Sequence, residues 1–518
     1  MKKFPVLLSV AAMLAGLCAC SGPAASSGDN GSSPAPETDI TFPLAESRTY
    51  SMFTIMNNDV ALNDVMGFKK LEEMTNVHWE IQSVLPAELA EKQSLLLGSG
   101  QYPDVFFRSS LDEATLNKYG KNGTFIPLNN LIEKYAPNLK KELDTRLSAR
   151  DKLTSADGNI YSLPLLGRDG PGGWINCFIN QPWLTKLGLE MPTTLDEFYT
   201  TLKAFKTGDP NGSESADEIP FICTQDFLYY FLPNFGIEVD PNSGACNMAI
   251  IDGKYQHIYS SERYKEFLAY MTKLYSEGLL DKNTFIQDGE QIHAIGASGD
   301  TIGFFFDLAS YLTVGRERDA DFVRVPVFAE HVLPYATSIG VGAMAITDKC
   351  KNPEIVMSWA DQFYTQEGGA LSFMGVEGES YKKNADGSWE WLLGNFSDIS
   401  TLRANACIQG GAYAPALQPD IWLENKADKN EYKFNHDIPS EKELSKIIFP
   451  VQRHSENDQK TLSTISADLQ PYILQYQAQV ITGALNLDSS WQNYIDTMNK
   501  MKLPQMIEIA TKAYEAAA

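Results

Sequence analysis

Between Tyr50 and Phe107 the hydrophobic pattern changes period four times, and that alternation constrains the fold more than any other feature of the chain. Tyr50 to Met56 reads as a short apolar strand, after which Val65, Phe68, Leu71 and Met74 recur at helical spacing within Val60 to Met74. Val77 to Gln82 alternates as a strand. Ala87 to Leu97 is helical and stops at Gly98 and Gly100, ahead of the buried-strand signal Asp104-Val105-Phe106-Phe107. The order β-α-β-α-β predicts parallel pairing with helices on both faces. This is an α/β, doubly wound arrangement in which ligands meet the loops at the carboxyl ends of strands. Asn57, Asn58 and Asp59 follow the first strand, and Arg108 and Ser109 follow the third, so these are the first candidates for a site.

A second α/β region begins after the turn signal Asp157-Gly158, with a strand expected over Ile160 to Leu165. Thr194 and Glu197 have capping-box spacing ahead of Leu195, Phe198, Leu202 and Phe205, and Ser261 precedes Tyr264, Phe267, Met271 and Leu274. Asn352-Pro353 starts another helix. Beyond Met374 the pattern changes: Asp386-Gly387 predicts a hairpin flanked by Trp389 and Trp391, and long polar helices close the chain. There are no internal repeats or heptads.

The N-terminus predicts export. Lys2 and Lys3 precede an apolar run from Phe4 to Ala19 that is too short and too interrupted for a spanning helix. It ends in Leu17-Cys18-Ala19-Cys20, which looks like a bacterial lipobox with Cys20 as the lipidated first mature residue. Residues 1–19 are then the signal peptide. Residues 20–40, rich in Gly, Ser, Pro and Ala, form a disordered tether. The 499 residues that remain are enough for two or three domains. With 42 basic and 66 acidic residues the net charge is −24, reaching −26 in the mature chain, so nucleic acid and anionic lipid are not expected partners.

Catalytic and redox motifs are not evident. Cys177, Cys223, Cys246, Cys350 and Cys407 are odd in number, lack C-x-x-C spacing, and read as small buried residues. The six His residues show no H-x-x-x-H spacing, and the chain contains no G-x-S-x-G, P-loop or dinucleotide fingerprint. The most specific chemistry lies in Asp209-Pro210-Asn211-Gly212-Ser213-Glu214-Ser215-Ala216-Asp217-Glu218, directly after a helix. Asp209, Asn211, Ser213, the Ser215 carbonyl, Asp217 and Glu218 offer the six hard oxygens that Ca2+ takes, with three carboxylates to balance its charge. The alternative is a solvated acidic loop.

Taken together, several segments resemble the extracellular solute-binding lipoproteins of carbohydrate ABC importers, the family 1 solute-binding proteins, in the long form common in Gram-positive bacteria. The residues that carry the likeness are Tyr102-Pro103-Asp104-Val105, Lys134-Tyr135-Ala136-Pro137-Asn138, Asp157 to Pro164, Trp183 to Leu189, Pro192 to Phe198, and Leu487-Asp488-Ser489-Ser490-Trp491. Each is weak alone; their order behind a lipobox and tether gives them weight. The resemblance implies a two-lobe, periplasmic-binding-protein-like (type II) fold with a C-terminal helical extension, closing by a hinge on a sugar. Crossings are expected near 162–176 and 338–346, so that the N-lobe comprises 41–165 plus 338–375 and the C-lobe 166–337 plus 376–518.

It further implies a monomer that binds without catalysing, held at the extracellular face by its lipid and delivering an oligosaccharide to ABC permease transmembrane subunits. The alternatives are a surface glycan-degrading enzyme, or a binder of a peptide or other polar solute. The acidic loop resembles the family's EF-hand-like loop, a structural calcium site away from the cleft. It departs at Ser213, where Asn or Asp is usual, and at Glu214, where Gly is usual. By the same resemblance the segments carrying Trp174, Gln225, Tyr229, Tyr230, Phe306, Asp307 and Tyr311 face the cleft, although core packing is an equal alternative for any single aromatic. Trp183 and Trp491 are assigned to packing. Trp389, Trp391, Tyr413 and Trp422 either line one end of the cleft or cover it.

Overall fold

The computed structural model describes residues 40–171, 175–328, 331–410, 413–423 and 441–518. The chain enters through β1 (Arg48–Ile55), α1 (Met66–Thr75), β2 (Val77–Val84), α2 (Leu89–Ser99) and β3 (Val105–Phe107), in the order that the alternating pattern predicts. It continues through β4 (Leu163–Leu166), β5 (Asn176–Asn180), α3 (Leu195–Thr207), β6 (Ile219–Ile222), α4 (Glu262–Ser276) and α5 (Gly289–Ser298). There follow β7 (Ile302–Asp307), β8 (Phe322–Arg324), β9 (Ile339–Ile346), α6 (Pro353–Asp361), α7 (Gln366–Phe373) and β10 (Ala416–Leu417). Helices α8 (Glu456–Ile481), α9 (Leu487–Lys500) and α10 (Leu503–Ala517) complete the chain.

Two sheets organise two lobes. The N-lobe sheet has the order β10-β4-β9-β3-β1-β2; β1 pairs in parallel with β2 and β3, β10 with β4, and β9 runs antiparallel between β3 and β4. The C-lobe sheet has the order β8-β5-β7-β6, with β7 parallel to β6 and antiparallel to β5. In each sheet, loops at the carboxyl ends of the parallel strands are left uncovered by the helices that flank the faces.

The cores are aromatic. In the C-lobe, Phe304 sits 4.8 Å from both Phe198 and Phe221 in edge-to-face contact, and full burial of each ring contributes about 2–3 kcal/mol. The long C-terminal helices join this core, with Tyr476 stacked on Tyr494 at 3.9 Å and Trp491 buried beside them, while Trp183 packs edge-on against Phe205 in the same core. Local signals behave as read: Thr194 accepts a bond from Glu197 N at 3.2 Å and Ser261 one from Tyr264 N at 3.2 Å, each capping its helix. Glu197 closes its side of the box on Thr193 instead of Thr194. Cys223, Cys246, Cys350 and Cys407 are buried thiols and Cys177 is half-buried.

The strand β9 lies wholly within the N-lobe sheet, and the chains connecting the lobes pair earlier, Tyr335–Ala336 antiparallel to Gly170–Pro171. Tyr381, Trp389, Ile408, Ala414, Ala416, Leu417 and Trp422, from the stretch expected in the C-lobe, pack with the N-lobe core. The hairpin formed by Tyr381–Lys383 and Trp389–Trp391 buries Tyr381 and Trp389 in the N-lobe core, Trp389 stacks on Trp422 at 5.6 Å, and β10 extends the sheet beside β4. The rings of Tyr381, Trp389 and Trp422 close on one another from distant points of the chain. The signal peptide, most of the tether with Cys20, and Trp174 lie outside the described residues.

Candidate functional site

At the carboxyl edge of the N-lobe sheet, Asn57 and Arg108 are fully buried. The Asn57 amide donates to the carbonyls of Ala404 at 3.1 Å and Cys407 at 2.9 Å, and its side-chain oxygen accepts from Arg108 Nη2. Arg108 also donates to Ile55 O and Gln409 O, both at 3.4 Å, while its Nε is buried without a partner. Burial alone pulls the guanidinium down to about 9, so it keeps its charge at neutral pH, faced by neutral oxygens. Both side chains are thus spent on pinning residues 404–409 across the edge of the sheet. Asn58 (φ 52°) and Asp59 stand exposed at the tip of the turn closed by Asn57 and Val60. Ser109 is buried on the carbonyl of Phe107.

At the carboxyl end of β6 the chain turns through Asp226–Phe235, which carries Tyr229 and Tyr230 in edge-to-face contact at 5.6 Å. Together with Gln225 they line a cavity of about 270 Å3 whose wall also includes Asp226, Asn247, Tyr259, Gln470 and Gln477. Gln225 Nε2 donates to Leu474 O at 2.7 Å and Gln477 Oε1 at 3.0 Å, tying the turn to α8. Burial raises the Tyr229 and Tyr230 phenols and pushes Tyr259 up to about 12, so all three are neutral at any physiological pH. The lining therefore offers amides and phenols, one exposed acid and no base, a donor and acceptor set suited to a neutral hydroxyl-rich molecule.

The end of β7 behaves differently. Phe306 is 2% exposed, and with Phe304 and Phe305 it belongs to the core, as strand alternation between two covered faces dictates. Asp307 is 6% exposed: Oδ1 accepts from Leu308 N at 2.7 Å, and Oδ2 accepts from Thr313 Oγ1 at 2.7 Å and meets His293 Nε2 at 3.0 Å. It organises its own loop. Tyr311 is half-buried, with the Arg316 guanidinium 4.7 Å from its ring centre. The structure brings Gln225 and Tyr229 to one cavity and adds Gln470 and Gln477, which the sequence reading does not nominate. Their spacing with Leu474 on one helical face was the available signal.

The acidic loop follows α3 and takes left-handed conformations at Asp209 (φ 46°), Gly212 (φ 73°) and Glu214 (φ 57°). Asn211 Nδ2 and Ser213 Oγ donate to Asp217 Oδ1 at 3.0 and 2.8 Å, and these bonds hold the Asp217 carboxyl below the usual carboxylate range. Ser213 Oγ also donates to Ser215 O at 3.3 Å. Glu218 is raised, by burial first and then by the neighbouring Asp217 and Asp209 charges. Asp209 Oδ1 and Glu218 Oε1 are buried with no hydrogen-bond donor, the kind of orphaned anionic oxygen a hard cation satisfies. Lys186 reaches the loop only at the carbonyls of Asp209 and Pro210. The donor chemistry fits calcium. The spacing is looser than a closed shell: among the described residues no three His, Cys, Asp or Glu side chains converge tightly enough to hold a metal.

Comparison with known proteins places these features. A family model of bacterial extracellular solute-binding proteins matches residues 64–370. The fructooligosaccharide ABC transporter substrate-binding protein FusA of Streptococcus pneumoniae serotype 4 is 30% identical over 545 residues, covering 99% of this chain and 97% of FusA. The structure of FusA in complex with kestose aligns with a TM-score of 0.72 and 26% identity over 90% of this chain and 99% of that one, and an EF-hand mutant of FusA with fructo-nystose aligns equally. An extracellular solute-binding protein from Bifidobacterium longum subsp. infantis shares the fold at a TM-score of 0.76 and 21% identity, over 90% of this chain and 98% of that one. Lipoprotein LipO of Bacillus subtilis is 23% identical, covering 87% of this chain and 88% of LipO.

Proposed function

The chain belongs to the bacterial extracellular solute-binding proteins, and we propose that it is the substrate-capture subunit of an ABC importer for a neutral oligosaccharide. The observation that carries this reading is end-to-end likeness to a fructooligosaccharide-binding relative, supported by the amide- and phenol-rich lining beside β6. Two lobes linked by the paired segments at 170–171 and 335–336 suit hinge closure over such a ligand, and the protein binds without turnover. Ligand contacts are assigned to Tyr229 and Tyr230 at the cavity, to Tyr311, and to the exposed Asn58 and Asp59 on the opposite lobe.

The accompanying proposals concern placement. Cys20 carries a lipid that tethers a monomer to the outer face of a cell membrane, where the closed lobes dock on permease subunits, and a lipoprotein relative supports this. Among the described residues no helix is long and apolar enough to cross a membrane. Asp209, Asn211, Ser213, the Ser215 carbonyl, Asp217 and Glu218 hold one structural calcium ion, which neutralises the orphaned carboxylate oxygens and fixes the start of β6. Calorimetry against a panel of fructooligosaccharides and other neutral oligosaccharides, with chromatography of the same mixtures, tests the reading. Saturable binding with intact sugar is expected, and release of shorter sugars would overturn it.

A further inference from the structure

Three Asn-Gly pairs occur in the chain, at 30–31, 122–123 and 211–212; the first lies outside the described residues. In such a pair the next backbone nitrogen can reach the asparagine amide, because glycine has no side chain to shield it. The two described pairs share a geometry. Gly123 and Gly212 are left-handed, φ 83° and 73°, and each asparagine side-chain oxygen accepts the backbone N–H two residues on, from Thr124 at 3.1 Å and from Ser213 at 2.9 Å. Both bonds polarise the amide carbonyl for addition. The pairs differ at the amide nitrogen. Asn211 Nδ2 donates to Asp217 Oδ1 at 3.0 Å and Asp300 O at 3.1 Å, and the Lys186 ammonium lies 3.1 Å from where a Cβ on Gly212 would stand. Asn122 is exposed and its amide nitrogen makes no hydrogen bond among the described residues. Chain neighbours aside, nothing lies within 4 Å of a would-be Cβ on Gly123.

We propose that Asn122 is a modification site, deamidating spontaneously to aspartate and isoaspartate in the folded protein while Asn211 is held back. Gly123 N leaves Gly120 O, a backbone bond at the fraying end of the helix Glu113–Lys121, gives its proton to solvent and attacks Asn122 Cγ. The new N–C bond closes a succinimide ring as the Cγ–Nδ2 bond breaks and ammonia leaves with a proton from water. Water then opens either carbonyl of the ring. At Asn211 two hydrogen bonds must be given up before the amide departs, and bonds of ordinary strength slow that reaction by roughly tenfold or more.

The product alters its surroundings. A carboxylate now stands at the carboxyl end of a helix, where the dipole opposes it. Isoaspartate also lengthens the main chain by a methylene just ahead of Thr124, whose carbonyl accepts from Asp348 N at 2.9 Å, and of Phe125, fully buried 5.7 Å from Phe106. Strain there reaches the end of β9.

The test ages the mature protein in warm, mildly alkaline buffer, both folded and in urea, and maps it by mass spectrometry with isoaspartate quantified at each site. The folded protein is expected to convert Asn122 roughly tenfold faster than Asn211, a difference that vanishes in urea. Asn122→Gln, whose longer side chain closes the ring poorly, should end conversion at 122, leave Asn211 unchanged and retain the melting temperature that aged wild type loses. Equal rates at the two sites in the folded protein, or a folded Asn122 that stays intact while the unfolded chain converts, overturns the proposal.

Discussion

The guanidinium of Arg108 donates to the side-chain oxygen of Asn57, and neither residue is accessible to solvent. The pair joins the carboxyl ends of β3 and β1 to residues 404–409. Gly410 is held there in the left-handed region, with a would-be Cβ within 2.1 Å of the Asn57 amide.

Removing one member of this pair leaves the other stranded. Asn57→Ala deprives Arg108 of an acceptor and two buried carbonyls of their donor, and is expected to cost about 2–4 kcal/mol in urea denaturation. Arg108→Met, which keeps volume and removes the buried charge, should cost less. The double variant should lose less than the sum of the two, with a coupling of about 1–3 kcal/mol.

His257 sets a pH limit. It is buried with Nδ1 3.2 Å from Ser260 Oγ, and burial pulls it down to about 3. The unfolded chain therefore binds a proton below the usual value near 6.5 that the folded chain refuses until about 3. Its contribution is intact above pH 6.5 and is lost as pH falls through that window, by roughly 3–5 kcal/mol in all. The expected outcome is a falling urea midpoint between pH 6.5 and 4, with a shallower slope in His257→Gln.

The acidic loop after α3 carries its own strain. Glu214 occupies a left-handed position, φ 57°, that glycine adopts at no steric cost. Glu214→Gly is expected to stabilise the metal-free protein by about 1 kcal/mol and to raise calcium affinity several-fold. Melting temperature with and without a chelator reads both effects. A wild-type midpoint indifferent to calcium and chelator would count against the site.

Much of this architecture was legible because its causes are local. The period of Val65, Phe68, Leu71 and Met74 and the caps at Thr194 and Ser261 depend on neighbours within a turn, and they appear where the residues predict. The stacking of Trp389 on Trp422 and the pairing of β10 with β4 were not legible, since no local pattern announces contacts so distant in sequence. Asn57 shows the same limit at the site. Its position after β1 is visible in sequence, yet its role is fixed by Cys407 O, 350 residues further on. Phe306 and Asp307 are nominated by their place at the end of a strand and by family resemblance, whereas the sheet's second covered face buries Phe306 and the Thr313 hydroxyl binds Asp307.

Gln452 and Arg453 are adjacent but hold different lobes. Gln452 Nε2 donates to Asp240 Oδ2 at 2.5 Å and to the Tyr255 hydroxyl at 2.8 Å in the C-lobe, whereas Arg453 donates to Asp151 O at 3.0 Å and Thr154 O at 3.3 Å in the N-lobe. A single peptide unit thus ties the two bodies together near Lys152, whose ammonium donates to Thr337 O at 3.2 Å beside the connecting segments. Arg453 is exposed, so each bond is weak, and Arg453→Ala should change global stability by no more than about 1 kcal/mol. Its effect should fall on the balance between open and closed lobes instead. A tie worth about 1 kcal/mol shifts a two-state population roughly fivefold toward the open form when cut, with an equal drop in ligand affinity if closure is required for binding. Small-angle scattering of the ligand-free variant should show a larger radius of gyration that returns to the wild-type value on saturation with ligand. Scattering curves that coincide without ligand would mean that the tie holds Gln452 and Arg453 in place without biasing closure.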